Sequence, residues 1–564
     1  MSKIWSIAPR VEEDLLRQLL LNRGITEDVE RFLQPEWQRD VLSPYDFQYM
    51  HQAVARVFAA LDKDEPIVVH GDYDADGVSG STVIFSTLTD ISKALDIQLQ
   101  LSVFLPDREK DGYGVAMHTV ERLGAEGVKL LITVDCGIAN GLELGKAHEL
   151  GIDTVICDHH QLGQHFPDKA IVLHPLAPGE TYANKTLCGT GVAFKFAWAL
   201  LDEARKRGAK LPEGYERWLL DLVAIATVTD VMPLKGENRA LEYFGLQVLR
   251  KTRRPGLKAI LASAGTSPTE IDTTTIGFRI GPRLNAAGRL ASAKLAFDAL
   301  AAPDDLAAAQ AAFELERLNR ERQEVFKASY EEAKQHAAKH DDDAQVLVVY
   351  SETWLPGIVG LIAGRLVSDF ARPAFAFAKA GEHWVGSGRS LGGLHLVQAM
   401  DACGEIFVKR GGHPQACGLT VATIEIIGEF RNKVDNFACN FYGPEGVRDQ
   451  LIIDAEVSLT EMTWDVLDKL ERLQPFGEGN RQPVFAATNL SIVQADVMGS
   501  SGNHLRLTVV PPEGGLKKLV GFGFGHLAKT LKPGDRVDVA YEPGVNEWNG
   551  KREIQFRIVD IRTD

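Results

Sequence analysis

Short apolar runs alternate with helix-like stretches between residues 66 and 230. Each run has the length of a buried strand, and the stretches between the runs carry apolar residues at helical spacing. This alternation is typical of a parallel sheet whose strands are joined by helices. The predicted strands are Ile67–Val69, Gln98–Leu105, Val128–Val134, Thr154–Cys157 and Ala170–Leu173. We therefore expect an α/β domain over residues 61–302.

Two other parts of the chain show a helical pattern. Residues 1–60 predict a helical cap, which begins with an amphipathic stretch at Val11–Asn22 and is followed by Gly24 as a stop signal. Residues 303–343 are rich in Ala, Leu, Glu, Arg and Lys and predict one long connecting helix, closed by Asp341–Asp343. The apolar heptads do not persist cleanly enough in this segment to predict a coiled coil.

The remaining chain predicts a second α/β domain over residues 344–449 and a β-rich domain over residues 450–564. The former opens with the apolar run Val346–Tyr350, and turn sequences at Pro511–Gly515 and Pro543–Gly544 divide the latter. The β-rich domain contains strand-like runs at Leu490–Val493, Leu505–Val510, Lys518–Phe524, Arg536–Tyr541 and Glu553–Ile561. Five such strands favour an OB-like barrel. The expected fold is thus two α/β domains joined by a long helix around a cleft, plus this C-terminal barrel.

Composition narrows the class of protein. The 564 residues are 45% hydrophobic and 24% charged, which is typical of a globular chain. No apolar run approaches the ~20 residues of a membrane span, and the N-terminus shows no signal peptide. The six cysteines form no C-x-x-C pair, which favours a reducing cytoplasm. The net charge of −16 argues against general polyanion binding, so any contact with nucleic acid needs a local basic surface.

Polar residues follow several of the predicted strands. His70, Asp74 and Asp76 follow the first strand, Asp135 the third, and Asp158-His159-His160 the fourth; Asp230 ends the more helix-like run Leu222–Thr229. The carboxyl ends of parallel strands meet at one edge of a sheet, so these side chains are expected to converge there. Carboxylates and imidazoles from four segments at one edge indicate a metal site.

Two alternatives exist for the segment that contains Asp72, Asp74, Asp76 and Gly77. These residues fit the opening of an EF-hand calcium loop, but Val83 stands where that loop needs a bidentate Glu, and a strand-like run precedes the loop instead of a helix. A solvated acidic turn is the other alternative. It is nearly as good an interpretation as a metal site for this segment alone, and the other polar segments decide against it.

These residues resemble the motifs of the DHH phosphoesterases, a superfamily named for the Asp-His-His that stands here as Asp158-His159-His160. The resemblance implies two divalent ions, Mn²⁺ or Mg²⁺, with Asp135 as their bridge. It assigns His70 and Asp74 to one ion, and Asp76, His159 and Asp230 to the other. It also places His160, with Asp135 and Asp158, among the catalytic residues, with His160 facing the phosphate. Two such ions suit phosphodiester hydrolysis, because they activate water and neutralise developing charge.

Further segments carry candidate contacts to the substrate. Arg108 can grip a phosphate and Tyr113 can stack on a base, although a charged turn with a packed Tyr fits that loop equally well. The Gly- and Arg-rich segment 275–289 and the second α/β domain add further candidates. Gly411–Gly418 resembles the Gly-Gly-His motif of the DHH-associated domain, with Cys417 in place of an Ala, a change that we expect to be neutral. The additional candidates are Arg279, Arg283, Asn285, Arg289, Ser387, Arg389 and His413.

The long connector, the terminal barrel and segment 275–289 resemble the single-strand-specific exonuclease branch of the superfamily. This resemblance implies 5'-to-3' hydrolysis of single-stranded DNA to 5'-mononucleotides in DNA repair and recombination. It also implies a monomer that works with single-strand-binding protein and a RecQ-type helicase, away from membranes. Phe522 or Trp548 is then expected to contact bases on the barrel. Two alternatives remain, a phosphodiesterase of short oligonucleotides or cyclic dinucleotides, and a catalytically silent replication scaffold of the same fold.

Overall fold

The computed structural model describes residues 3–108, 110–339, 344–447, 449–499, 502–548 and 551–563, without the side chains of Glu445 and Trp548. The helix end expected at Asp341–Asp343 and the base contact expected at Trp548 therefore lie outside the described residues. The chain divides into two compact units. The sheet unit contains Glu30–Arg322 and Leu473–Arg481, and the barrel unit contains Met1–Val29, Gln323–Arg472 and Gln482–Asp564.

The strands of the described chain lie before residue 174 and after residue 346. In chain order they are β1 (Ile4–Ile7), β2 (Ile67–Gly71), β3 (Leu101–Phe104), β4 (Leu130–Val134), β5 (Asp153–Cys157), β6 (Ile171–Leu173), β7 (Leu347–Ser351), β8 (Ala374–Ala380), β9 (His383–Arg389), β10 (Lys409–Gly412), β11 (Ala416–Val421), β12 (Gln450–Ile453), β13 (Ala455–Glu456), β14 (Phe485–Met498), β15 (His504–Val510), β16 (Lys517–Gly521), β17 (Arg536–Trp548) and β18 (Lys551–Thr563).

The α-helices are concentrated before residue 443. In chain order they are α1 (Leu15–Asn22), α2 (Val29–Leu33), α3 (Trp37–Asp40), α4 (Met50–Asp62), α5 (Ala75–Leu95), α6 (Met117–Ala125), α7 (Gly141–Glu149), α8 (Gly189–Lys206), α9 (Leu220–Thr229), α10 (Gly236–Leu249), α11 (Pro255–Ser263), α12 (Thr273–Thr275), α13 (Gly281–Leu290), α14 (Lys294–Leu300), α15 (Asp305–Ala337), α16 (Val359–Phe370), α17 (Leu396–Ala402), α18 (Ile424–Tyr442) and α19 (Trp464–Glu471).

The sheet unit is built on a parallel sheet with the strand order β3-β2-β4-β5-β6. Successive residues of β2 alternate between the faces, so that Ile67 and Val69 join the core formed with α5 and α8, and Val68 joins the core formed with α6 and α7. Helices cover both faces, and this is why the strands are continuous apolar runs. The predicted α/β domain is confirmed, with all carboxyl ends of the strands at one edge.

Segment 275–289 is helical. It contains the end of α12, a π-helical turn at Ile276–Ile280 and most of α13. Gly281 allows the π-helical turn to approach α9 closely, because a Cβ there would lie 2.5 Å from Cγ2 of Thr229. Gly281 therefore serves helix packing, and the helical backbone of the segment forms its hydrogen bonds mainly within the helices.

The barrel unit contains a mixed sheet and a closed barrel. The sheet has the order β10-β11-β9-β8-β7, with α16 and α18 packed against it. The barrel has the order β13-β14-β15-β16-β18-β17 and closes because β14 also pairs with β17. The OB-like barrel is confirmed, but the turn predicted at Pro543–Gly544 is wrong. These two residues pair with Phe556 and Gln555 inside the long β17–β18 hairpin, where strand pairing overrides the local Pro-Gly signal.

Residues 1–60 are divided between the units and contain a strand that was not predicted. β1 pairs in parallel with β12, and the indole of Trp5 donates a hydrogen bond to Asp560 at 2.7 Å. Within residues 1–60, α1 belongs to the barrel unit, whereas α3 and α4 belong to the sheet unit. Within the described ranges, every helix is too short or too polar to cross a membrane.

Candidate metal centre

The first ligand-bearing turn lies between β2 and α5. Asp74 is the N-cap of α5, and one of its carboxylate oxygens accepts hydrogen bonds from the N–H groups of Asp76 (2.9 Å) and Gly77 (3.1 Å). A glycine is needed at position 77, because a Cβ there would lie 2.4 Å from the backbone nitrogen of Asp72. The tight turn therefore brings Asp72 close to Asp74 and fixes Asp74 by its capping bonds.

Asp135 follows β4 in a strained conformation. Its φ of 62° lies in the left-handed region that favours glycine. Such a conformation costs about 1–3 kcal/mol for a residue with a side chain and is often found at functional sites. The Asp135 N–H donates to the carbonyl of Cys157 at 2.8 Å, and only 2% of the residue is exposed. The sheet therefore imposes this position on Asp135.

Asp158 is completely buried and organises the turn after β5. Its carboxylate accepts hydrogen bonds from the N–H groups of Ile138 (3.0 Å), His159 (2.7 Å) and His160 (3.1 Å), and lies 2.9 Å from Nδ1 of His160. Burial opposes the carboxylate charge, but the hydrogen bond and charge of His160 hold the pKa of Asp158 well below its usual range. Against burial, the same contact raises the pKa of His160 to about 9. Asp158, which we expected to be catalytic, thus binds the backbone of both histidines and the ring of His160.

The start of α8 binds one carboxylate of the site through its backbone. The N–H groups of Gly189 and Thr190 donate to the two oxygens of Asp76 at 2.8 and 2.7 Å. Only glycine fits at position 189, because a Cβ there would lie 2.6 Å from Cβ of Asp135. We did not predict this contact from the sequence. Its signal is the run of small residues Gly189–Gly191 in front of an apolar helix.

Asp230 is contributed by the carboxyl end of α9. It is the C-cap of the helix, and the next residue, Val231, has a φ of 56°. This conformation is unusual for a β-branched side chain. The abrupt end of α9 therefore places Asp230 at the site, and the strain resembles that of Asp135.

The turns bring potential ligands into three overlapping groups, in each of which the ligand atoms lie within 4.8 Å of one another. The groups are Asp76, His159 and Asp230; Asp72, Asp74 and Asp135; and Asp135, His159 and His160. Nε2 of His159 lies 3.2 Å from Asp135, 3.4 Å from Asp230 and 3.8 Å from Asp76. The first group is the set expected for one ion.

The second group differs from the expected set in one ligand. Asp72 stands with Asp74 and Asp135 where the resemblance implies His70. His70 is fully buried, and its Nδ1 lies 3.6 Å from Sγ of Cys136. From the sequence, Asp72 belongs to a segment that fits a metal site, a calcium loop or an acidic turn, and the resemblance assigns it to neither ion. Its place in the alternating Asp-x-Asp-x-Asp sequence was the signal for its role.

Several buried atoms of these groups have no hydrogen-bond partner among the described residues. They are Nε2 of His70, Oδ1 of Asp72, Oδ1 of Asp135, Nε2 of His159 and Oδ2 of Asp230. A buried polar atom without a partner is costly, so such a concentration of them requires an explanation. Carboxylate oxygens and imidazole nitrogens suit Mn²⁺ and Mg²⁺, and the residues present therefore fit divalent ions. We call Asp72, Asp74, Asp76, Asp135, His159, Asp230 and His70 the ligand cluster.

The electrostatics of the ligand cluster also favour bound divalent ions. Burial, followed by repulsion from Asp76 and Asp74, raises the pKa of Asp135 and of Asp230 well above the usual range. Burial and repulsion from Asp74 have the same effect on the pKa of Asp72. The carboxylates can be charged together only when cations lie among them.

The loop after β3 places two candidate substrate residues near the cluster. The Tyr113 hydroxyl donates to the backbone carbonyl of Asp135 at 3.3 Å, and its ring centre lies 5.1 Å from that of His160. The tyrosine is still 37% exposed, so part of it remains available for stacking. The guanidinium of Arg108 lies over the Tyr73 ring at 5.1 Å.

The candidates of segment 275–289 already have protein partners. Arg279 donates to Oγ1 of Thr266 at 3.1 Å, and Arg283 forms an ion pair with Glu316 at 2.7 Å. Arg289 acts electrostatically on Tyr73, where its charge opposes the burial that raises the pKa of that hydroxyl to about 12. The amide of Asn285 is also engaged, as the acceptor of a backbone hydrogen bond from Ala75.

The remaining candidates lie within the barrel unit. Arg389 donates to Oγ of Ser387 at 2.9 Å, and Ser387 in turn donates to the carbonyl of Cys417 at 3.0 Å. The backbone of His413 pairs with Ala416 in the adjacent turn. Sγ of Cys417 fits a buried place beside Gly388, where a Cβ at 388 would lie 2.8 Å from it. Cys417 is therefore accommodated by the glycine opposite.

Comparison with known proteins agrees with this architecture. Three family models match: the N-terminal domain of the DHH family (residues 66–227), the DHHA1 domain (343–440) and the RecJ OB domain (453–560). The single-stranded-DNA-specific exonuclease RecJ of Bacillus subtilis is 35% identical over 97% of this chain and 67% of its own length. The RecJ of Salmonella typhimurium is 33% identical over 97% of this chain and 95% of its own length.

Solved structures give the same result. RecJ from Thermus thermophilus in complex with Mn²⁺ superposes with a TM-score of 0.82 at 28% identity, covering 100% of this chain and 80% of that one. Its Mg²⁺ complex has a TM-score of 0.77 at 26% identity, with coverages of 100% and 78%. The fold and the ligand cluster define a metal-dependent phosphoesterase of the DHH class, with Mn²⁺ or Mg²⁺ as its cofactor. Within this class, the chain belongs to the RecJ family.

Proposed function

We propose that this protein is an exonuclease specific for single-stranded DNA. It hydrolyses phosphodiester bonds from the 5' end and releases 5'-mononucleotides, in DNA repair and recombination. The observation that carries the proposal is the ligand cluster, with five buried atoms that have no hydrogen-bond partner in the described chain, at the sheet edge of a RecJ-family protein. Substrate and polarity follow from the family.

The ligand cluster holds two divalent ions in this proposal. Asp72, Asp74 and His70 would hold one ion, Asp76, His159 and Asp230 would hold the other, and Asp135 would contribute to both. Two such ions lower the pKa of an attacking water and neutralise charge on the reacting phosphate. All other steps depend on how the chain positions the strand.

His160 and Tyr113 contact the substrate beside the ligand cluster in this proposal. Asp158 fixes the orientation of the His160 imidazole, and this contact raises the pKa of the ring in the metal-free protein. A protonated imidazole there would stabilise the negative phosphate group. Tyr113 stacks on the terminal base while its hydroxyl remains bonded to the Asp135 carbonyl, which aligns the scissile bond. Such alignment contributes several kcal/mol to a lowered barrier.

Basic and polar groups within each unit are proposed to bind phosphates of a strand. In the sheet unit these are Arg108, Arg279, Arg283 and Arg289, and in the barrel unit Ser387, Arg389 and His413. Guanidinium groups make directional, bidentate contacts with phosphate. Arg283 exchanges Glu316 for phosphate on binding, since the two are paired at 2.7 Å in the protein alone.

The barrel favours long substrates over dinucleotides. Phe522 is 54% exposed and packs edge-on against His504 at 5.3 Å, an arrangement that suits base stacking. Phe522→Ala should therefore weaken binding of long strands by about fivefold or more, the lower end of the stacking contribution, and leave cleavage of a trinucleotide unchanged. Equal activity on long strands and dinucleotides would favour the short-substrate phosphodiesterase.

The proposed partners rest on the family resemblance. We propose that the protein works in the cytoplasm as a monomer, with single-strand-binding protein and a RecQ-type helicase. Size-exclusion chromatography with light scattering, alone and with each partner on DNA, tests the proposal. Separate elution of all components would contradict it.

The proposed activity is tested with single strands labelled at either end. With Mn²⁺ or Mg²⁺, a 5' label should appear at once as mononucleotide, whereas a 3' label should remain on progressively shorter strands. Chelation should stop the reaction, and duplex or RNA of the same sequence should persist. Digestion from the 3' end would overturn the polarity, and no metal-dependent digestion would overturn the activity in favour of a silent scaffold.

A further inference from the structure

Asn285 holds the first turn of α5. Its Oδ1 accepts a hydrogen bond from the N–H of Ala75, the first residue of that helix, at 2.8 Å. The first N–H groups of a helix have no acceptor within the helix. Asp74 serves those of Asp76 and Gly77 with its own carboxylate, so the Ala75 N–H depends on a side chain from elsewhere. Asn285 supplies the acceptor from α13.

A second residue of α13 contacts the other side of Asp74. Gly288 lies so close to the chain that a Cβ there would be 2.3 Å from the carbonyl oxygen of Tyr73. Gly288 is one helical turn beyond Asn285, so both residues lie on the same face of α13. Tyr73 and Ala75 flank Asp74, and α13 therefore touches the backbone on both sides of this ligand.

We propose that Asn285 is a positioning residue for the metal ligands and does not bind the DNA strand. Its hydrogen bond fixes the backbone that carries Asp74 and Asp76. It therefore affects the affinity of the ligand cluster for metal ions. The inference rests on the proposed function, because it assumes that the cluster holds metal. Asn285 was expected to contact the substrate because it lies among the arginines of segment 275–289, and the inference replaces that expectation with a positioning role.

The test is Mn²⁺ binding to the full-length protein without DNA, measured from the electron paramagnetic resonance signal of free Mn²⁺. Asn285→Ala and the similarly sized Asn285→Leu both lack the acceptor and should lower Mn²⁺ affinity by about tenfold, as is usual when a group that orients metal ligands is lost. Asn285→Asp keeps the acceptor and should remain within about threefold of the wild type or bind more tightly. Gly288→Ala should also reduce the affinity.

Asn319→Ala is the matched control. Asn319 is 2% exposed in the same unit, and its side chain accepts a hydrogen bond from Arg322 in α15. Its replacement should leave Mn²⁺ affinity unchanged. Thermal melting establishes that each variant is folded at the assay temperature. If Asn285→Ala is unfolded, the Mn²⁺ affinity of Asn285→Leu, which leaves no cavity, tests the inference instead.

Strand binding in chelator separates the two roles of Asn285. The wild type and Asn285→Leu should bind a 5'-phosphorylated single strand equally well without metal. Normal Mn²⁺ affinity with weakened strand binding would make Asn285 a DNA contact and overturn the inference, as would an equal loss of Mn²⁺ affinity in Asn319→Ala. A wild type that binds Mn²⁺ but degrades no single strand would overturn the proposed function and leave the positioning role standing.

Discussion

Two buried polar clusters of the sheet unit differ in how well their charges and hydrogen bonds are balanced. In the Glu237 cluster, the carboxylate of Glu237 accepts hydrogen bonds from Lys195 (2.7 Å), the Leu42 N–H (2.8 Å), Tyr182 (2.9 Å) and Asn184 (3.2 Å). Lys195 also donates to the Leu42 carbonyl at 2.7 Å. Charge and hydrogen bonds are balanced within this cluster, so its burial is accounted for by a structural role as an anchor.

The ligand cluster is also largely buried but is not balanced. Carboxylates outnumber cations, five buried atoms have no hydrogen-bond partner in the described chain, and Asp135 has a strained backbone. The comparison teaches that burial of charge alone does not identify a functional site. What distinguishes the site is that several unpartnered polar atoms from different segments are held close together by the protein and left for something else to bind.

Removal of the bridging carboxylate should have the largest effect. Asp135→Asn should lower the rate of single-strand hydrolysis by more than about a hundredfold, the upper range for loss of a group that merely orients a ligand. It should not destabilise the metal-free protein, because a repelling charge is lost. Steady-state rates and urea melts measure both, and Asp168→Asn, at an exposed site, is the control. A loss of stability without loss of rate would make this cluster structural too.

Removal of the cation from the Glu237 cluster should have the opposite result. Lys195→Met leaves Glu237 buried without its charge partner, and breaking such a pair costs about 3–5 kcal/mol in the free energy of unfolding. The rate per folded molecule should stay close to that of the wild type. Urea melts and active-site titration measure the two quantities. Lys63→Met, at a side chain that is 69% exposed, should change neither. An intact stability in Lys195→Met would remove the contrast between the clusters.

A substitution that crowds the ligand cluster should have an intermediate effect on metal binding. In Gly189→Ala the new Cβ would meet Cβ of Asp135 at 2.6 Å, so Asp135 or the start of α8 must move. We expect Mn²⁺ affinity to fall by about 10–100-fold, the range for disturbed outer contacts of metal ligands. Gly145→Ala is the matched control, since a Cβ there meets no atom within 4 Å. Isothermal titration with Mn²⁺ measures both; equal affinities would mean that the site tolerates displacement.

The pH dependence of stability should show the smallest effect when it is measured over a step of one pH unit. Above the unfolded pKa of 6.5 for histidine, folding keeps a proton on His160, whose pKa is about 9. Burial and mutual repulsion shift the pKa of Asp135 and of Asp72 in the same direction. The folded state then binds more protons than the unfolded state, so metal-free stability should fall as pH rises from 6.5 to 9, by about 1.4 kcal/mol per pH unit for each proton retained. Urea melts in chelator measure this slope. Mn²⁺ should flatten it, and a rising slope would contradict the charge imbalance.

The sequence predicts the strand ends well because their signal is local. The apolar runs before Asp74, Asp135 and Asp158 are visible in the chain, and parallel strands bring their ends together. The strand β1 is not predictable in this way, since its partner β12 lies near the other end of the sequence. The hydrogen bonds from the start of α8 to Asp76 are not predictable either. They come from backbone N–H groups, which residues of nearly every type possess.

The roles of individual polar residues depend on long-range contacts. Arg283 looks free in the sequence, but its partner Glu316 is supplied by a separate helix. Asp72 and His70 are equally plausible ligands from spacing alone, and the turn at Gly77 draws Asp72 into the group with Asp74 and Asp135. The local pattern thus predicts which segments form the site, and packing decides which atoms of those segments meet.

The central claim is that the unpartnered atoms of the ligand cluster bind two metal ions. Anomalous diffraction at the manganese absorption edge, from crystals of the full-length protein grown with Mn²⁺, tests it most directly. We predict two peaks, one contacted by Asp72, Asp74 and Asp135 and the other by Asp76, His159 and Asp230, with Asp135 between them. A single peak, or ions bound elsewhere with the cluster atoms still unpaired, would contradict the account.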